Sequence, residues 1–222
     1  MGSENIGLNL RRLRLLKGLS QKDLAQAIGI TRPAYARLEA GTALPRTSTL
    51  HAIAKALDVK LTDLLQPVRE LKAVRFRAKK RLKSRKQVLF EVSDWLRKFN
   101  SLESILGVKQ SYFLGEIAER LIEEKPGGDR ARIAARLARE KMGIKPGESI
   151  RDLCGLLESC GIKVYPIKIA SNDFFGLSVA PQDGGPVIVV NVWERISVER
   201  WIFTAAHELG HLLIHLDSFD VE

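Results

Sequence analysis

The residues able to do chemistry cluster in two places. Toward the C-terminal end runs Thr204-Ala-Ala-His207-Glu208-Leu-Gly-His211. Histidines four apart share one face of a helix, so His207 and His211 can offer imidazole nitrogens to a single zinc ion. Glu208 projects beside that ion, where a carboxylate can take a proton from an activated water and pass it to a leaving amine. With 4 histidines in 222 residues, a chance H-E-x-x-H is improbable. His215 continues the series, but it lies about 12 Å from His207 along a straight helix axis. One zinc with bonds near ~2.1 Å cannot span that length, so His215 supports or packs against the site. Asp217, Asp220 and Glu222 follow, and none continues the pattern.

The second cluster is N-terminal. Gln21 opens one short helix and Thr31 opens the next, where helix N-termini point N–H groups at phosphates. On the second of these helices Tyr35 and Leu38 mark a buried side, leaving Arg32, Ala36 and Arg37 outward. Arginine matches guanine O6 and N7 with its planar fork, so Arg32 and Arg37 are candidate base readers. Gly29-Ile30 lies between the two helices, the tight turn that a helix-turn-helix needs.

These residues must be carried by definite elements. Ile6, Leu10, Leu13 and Leu16 have helical spacing that ends near Gly18. Ser20 and Asp23 form a capping-box pattern before Leu24, Ala25 and Ile28, and Gly29 stops that helix. Thr31 caps a third helix, in which Pro33 falls harmlessly in the first turn, and Gly41 closes it. Leu50, Ile53, Ala54 and Leu57 mark a fourth helix, and Leu61, Leu64 and Leu65 a short fifth. Val88, Val92, Trp95, Phe99, Leu102 and Leu106 predict one long amphipathic helix with a continuous apolar stripe. A further helix covers about 112–124. Pro126-Gly127-Gly128-Asp129 reads as a linker and sets the expected domain boundary. Beyond it come helices near 130–142 and 150–159. Strands follow at Ile162–Ile167, Phe174–Val179 and Val187–Val192, the last two forming a hairpin around Gly184-Gly185-Pro186. A final helix starts at Ser197.

Composition points to the same partners. The net charge of +10 calls for a polyanion, and the excess is local: Arg69 to Lys86 holds ten Lys/Arg against a single acid, Glu70. That run predicts phosphate contacts alongside the base readers. Cys154 and Cys160 lack a zinc-ligand spacing and form no disulfide framework, so both read as small buried hydrophobes in a reducing compartment. No signal peptide and no apolar run of about 18 residues is present, which predicts a cytoplasmic protein without membrane contact.

Two family resemblances rest on these motifs. Leu19-Ser-Gln-Lys-Asp-Leu-Ala through Leu38-Glu-Ala-Gly resembles the lambda-repressor-like helix-turn-helix family, also called Xre, over about residues 6–66. The resemblance implies sequence-specific binding to a double-stranded DNA operator, usually as a homodimer. From about residue 130 the chain resembles the ImmA/IrrE metallopeptidases, through Ile188-Val-Val-Asn191, the strands around Phe175-Gly176-Leu177, and Phe203-Thr-Ala-Ala-His-Glu-Leu-Gly-His. This implies His207 and His211 as zinc ligands and Glu208 as general base. It also implies a third ligand, a Glu on a later helix, for which this sequence has no matching position in the 11 residues after His211. The expectation is therefore a chain truncated at its C-terminus, metal-free or partly occupied and inactive, with zinc bound in the intact protein.

The fold expected is mainly α with a small α+β domain: a five-helix DNA-binding domain (1–68), a basic and amphipathic helical connector (69–128), and a zincin-like domain with a short sheet and the H-E-x-x-H helix (129–222). The function expected is a transcriptional repressor whose peptidase domain cleaves a regulatory protein. The alternative is a transcription factor whose zincin-like domain serves as a non-catalytic sensor or dimerisation module.

Overall fold

The computed structural model describes residues 3–68, 70–78, 85–122 and 129–214. The chain divides into two compact units, one made of Met1–Glu70 with Lys86–Glu91, the other of Leu71–Arg85 with Val92–Glu222.

The first unit holds five helices: α1 (Ser3–Leu16), α2 (Gln21–Ala27), α3 (Arg32–Glu39), α4 (Thr47–Leu57) and α5 (Leu61–Leu65). Leu10, Leu24, Tyr35, Ile53, Leu57 and Leu64 form its core, one or two from each helix. Buried Asn9 ties α1 to the end of α5, its amide donating to the carbonyls of Leu64 (3.1 Å) and Gln66 (2.6 Å). The helix starts and stops follow the sequence expectation. Ser20 and Asp23 make the capping box, with Asp23 N–H on the Ser20 hydroxyl and Ser20 N–H on the Asp23 carboxylate.

The second unit is built on a mixed sheet in the order β1-β3-β4-β2, from β1 (Val74–Ala78), β2 (Lys163–Ile167), β3 (Phe174–Val179) and β4 (Val187–Asn191). β3 and β4 are the expected antiparallel hairpin, and β2 runs parallel to β4. Helices α7 (Gly115–Ile122), α8 (Arg130–Lys141), α9 (Leu153–Ser159) and α10 (Val198–Ile214) share one core with the sheet, through Leu114, Ile117, Leu121, Ala134, Ala138, Leu157, Ile188, Val190 and Ala205. Helix α6 (Arg85–Leu106) meets the β2 edge: Trp95 stacks on Tyr165 at 4.4 Å, and Glu103 pairs with Lys163 at 3.1 Å.

Three expectations are corrected here. The stretch 69–128 is not a helical connector, because Val74–Ala78 is an edge strand paired with β3 and α7 sits in the second unit's core. The alternation Val74-Arg75-Phe76-Arg77 is a strand pattern that the density of arginines disguised. The boundary expected near 128 is not where the units part; they divide at Glu70/Leu71 and again at Glu91/Val92. The linker residues Pro126, Gly127 and Gly128 lie outside the described residues, as does 79–84 of the basic run. Finally, the apolar stripe of α6 is buried only in its first half. Val88, Val92 and Leu96 are buried, whereas Leu102 and Leu106 are 55% and 61% exposed.

Candidate functional site

The first unit presents α3. Helix α2 ends at Ala27, and Gly29 just beyond it has a φ of +71°, the left-handed conformation that lets the Ile30 N–H return to the Ala25 carbonyl at 3.0 Å. Thr31 then caps α3 by accepting from the Ala34 N–H at 3.3 Å. With Tyr35 and Leu38 turned inward, Arg32 and Arg37 are exposed, whereas Ala36, expected to face outward with them, is half-buried. Thr31 is exposed at the helix N-terminus.

Gln21 is placed differently from a simple phosphate contact. Its amide donates to Glu39 at 2.9 Å, linking the start of α2 to the end of α3. Glu39 is itself the partner of Arg14, a pair that sequence reasoning missed. The two side chains are 8% and 5% exposed, with Arg14 Nε 2.5 Å and Nη2 3.1 Å from the carboxylate oxygens. Arg14 also donates to the Leu19 carbonyl at 2.6 Å. This bidentate pair fixes the end of α3 against α1. Burial pushes the pKa of the neighbouring Tyr35 hydroxyl up, and the Glu39 charge adds to it. The available signals were an arginine on the leucine-rich side of α1 and a glutamate closing α3.

In the second unit, α10 begins where the Ser197 hydroxyl accepts from the Arg200 N–H at 3.3 Å. Thr204, Ala205, Glu208, Leu212 and Leu213 form its buried side. His207 and His211 are half-buried, their rings 4.5 Å apart and nearly perpendicular at 86°. One donor atom from each of His207, Glu208 and His211 lies within 4.8 Å of the others. His215 lies outside the described residues.

Two features of β3 deliver the helix to this position. A Cβ on Gly176 would meet Thr204 Cγ2 and the Val189 carbonyl oxygen, each at 2.6 Å, so only glycine lets α10 settle on the sheet. The β1–β3 register slips at Arg77/Ala78, whose partners are Gly176 and Phe174, leaving Phe175 as the extra residue of a bulge. The bulge sets Phe175 against α10, with the Arg200 guanidinium 4.3 Å from its ring centre. Three positions on from Phe175, buried Ser178 donates its hydroxyl to Glu208 Oε2 at 2.9 Å. Asn191 accepts from the Ile169 N–H and donates to the Ile169 and Phe174 carbonyls, each at 2.9 Å, fixing the loop before β3.

A tetrahedral zinc site places its ligand atoms about 3.4 Å apart, close enough to the observed spacing for side-chain rotation to close the gap. Two imidazoles suit zinc as ligands, and the Glu208 carboxylate beside them suits a proton acceptor, so the residues present fit the ion. The cysteines take no part. Both are free, Cys160 buried and Cys154 half-buried, and burial raises both thiol pKa values. Among the described residues, no helix is long and apolar enough to cross a membrane.

Comparison with known proteins bears on the first unit. The helix-turn-helix family model matches residues 10–64. The HTH-type transcriptional regulator YqaE of Bacillus subtilis is 42% identical over 72 residues, which is 32% of this chain and 62% of that protein. The HTH-type transcriptional regulator y4dJ of Sinorhizobium fredii is 35% identical over 65 residues, 29% of this chain and 84% of that protein. Among solved structures, the restriction-modification controller protein C.AhdI of Aeromonas hydrophila is 34% identical, covering 28% of this chain and 94% of that one, with a TM-score of 0.28. The chain thus spans less than two thirds of the Bacillus relative. The family match, together with the Sinorhizobium relative covered over most of its length, places the chain among the Xre-type helix-turn-helix transcriptional regulators, with α1–α5 as its DNA-binding domain.

Proposed function

We propose that the chain is an operator-specific repressor, acting as a homodimer on double-stranded DNA, whose second unit is a zinc metallopeptidase-like domain directed at a regulatory protein. On DNA, Arg32 and Arg37 read base edges, Ala36 lies close to the groove, and Thr31 and Gln21 face phosphates. Gln21 does so from an orientation set by Glu39. The cations between Arg69 and Lys86 add sequence-independent phosphate contacts.

The observation that carries the peptidase reading is the convergence of His207, Glu208 and His211 within 4.8 Å on one helix. His207 and His211 would hold the ion, and Glu208 would take a proton on a carboxylate oxygen and return it to the departing amine. When bound, the ion supplies Lewis-acid polarisation of a peptide carbonyl. The α10–β3 packing keeps the carboxylate away from bulk water, where its interactions with the reacting groups are stronger. The test is elemental analysis of the purified protein together with cleavage of its candidate partner. Glu208→Gln keeps zinc and loses cleavage, whereas His207→Ala loses both. Cleavage by Glu208→Gln at the normal rate contradicts the mechanism. Stoichiometric zinc without cleavage selects the sensor module instead.

A further inference from the structure

We infer that Ser178 is the positioning residue for Glu208, its hydroxyl holding the carboxylate in the orientation from which it faces the two histidines. This rests on the reading that His207 and His211 hold a metal ion. Both Ser178 and Glu208 are completely buried, and the 2.9 Å hydrogen bond between them joins residues 30 apart in sequence. A glutamate has three rotatable side-chain bonds, so where its carboxylate points is decided by what it is bonded to. Here one such partner comes from the sheet. Strand alternation puts Gly176 and Ser178 on the same face of β3, and the missing Cβ of Gly176 lets α10 come close enough for the contact.

The chemistry of the pair suits a proton carrier. An ionised carboxylate has about four acceptor sites, and the Ser178 hydroxyl occupies one of them. A serine hydroxyl also accepts, so it can rotate and keep its bond to Glu208 when the carboxylate is protonated. An alanine offers neither bond. A threonine keeps both, and a valine of similar shape keeps none.

The experiment uses the full chain loaded with zinc and titrated with acetohydroxamic acid. This probe binds zinc through two oxygens and gives up its hydroxyl proton, which a neighbouring carboxylate positioned for it accepts. Outer partners of metal ligands are worth about 10- to 100-fold in metal affinity or activity. Glu208 is not a ligand, so Ser178→Ala is expected to leave zinc stoichiometry unchanged and to weaken hydroxamate binding on that same scale, about tenfold. Ser178→Thr is expected to retain the affinity. In a Glu208→Gln background, Ser178→Ala is expected to add nothing, because its effect passes through the carboxylate. This cycle decides the matter even if the threonine variant does not fold. Wild-type affinity in Ser178→Ala, an equal loss in the Glu208→Gln background, or loss of zinc along with hydroxamate overturns the inference. A wild-type chain that takes up no zinc overturns the metal reading and this inference together, an outcome distinct from a failure of the serine alone.

Discussion

Replacing Glu39 with alanine removes the partner of a charge that cannot reach water. Arg14 and Glu39 are 8% and 5% exposed, and Glu39 accepts two bonds from the guanidinium and one from Gln21. In the variant the guanidinium stays buried with the Leu19 carbonyl still bonded to it. Breaking a buried pair by deleting one partner costs about 3–5 kcal/mol, against roughly 0–1 kcal/mol for an exposed pair. In a domain of this size each 1 kcal/mol moves the melting midpoint by about 4–8 °C, so the loss is expected to exceed roughly 12 °C. The double variant Arg14→Met with Glu39→Leu fills similar volume without charge, and its stability is expected near that of the parent. Chemical unfolding followed by circular dichroism measures both. A Glu39→Ala cost below about 1 kcal/mol refutes the argument, because the pair then behaves as a solvated one. So does a double variant as unstable as the single one.

Three further outcomes can be measured, one of them resting on the sequence alone. Gly176→Ala forces α10 off β3; overpacking of this kind costs about 1–3 kcal/mol, read as a lower unfolding midpoint and reduced zinc uptake. Neutralising Lys79, Lys80, Arg81 and Lys83 should flatten the slope of log K against log salt for DNA by up to about 3.6, at roughly 0.9 per phosphate contact, and an unchanged slope marks these four as solvated. The Ser20 hydroxyl and N–H hold the Asp23 carboxyl below its ordinary range. Its cap is therefore complete above the unfolded-state value, near pH ~4, and is lost as pH falls through the lower folded value. Acid titration of the melting midpoint checks this, since Asp23→Ala should shrink the drop.

Local chemistry was legible in the sequence, and long-range pairing was not. The caps at Ser20 and Thr31 and the stop at Gly29 depend on residues three to six apart, so the first unit's helices could be placed directly. The spacing of His207 and His211 encodes their shared face for the same reason. β1 escaped notice because its partner, Phe174–Val179, lies about a hundred residues downstream and its own alternation sits inside a run read as charge. The Arg14–Glu39 pair, the Gly176 contact and the Ser178–Glu208 bond likewise join distant segments, and even where a residue stood out, as Arg14 did on the leucine-rich side of α1, its spacing did not name its partner. The exposed end of α6 shows the converse: helical periodicity predicts a stripe, but burial needs a surface to cover it.

The central claim is that α3 reads DNA sequence through its exposed arginines. Selection of bound duplexes from a randomised pool, run in parallel with the wild-type chain and the Arg32→Ala/Arg37→Ala variant, tests it most directly. The wild-type chain should enrich a defined site containing guanines. The double variant should lose preference at those positions, by about 1–3 kcal/mol each, while retaining salt-dependent binding to any duplex. An identical enriched site from both proteins, or none from the wild type, contradicts the account.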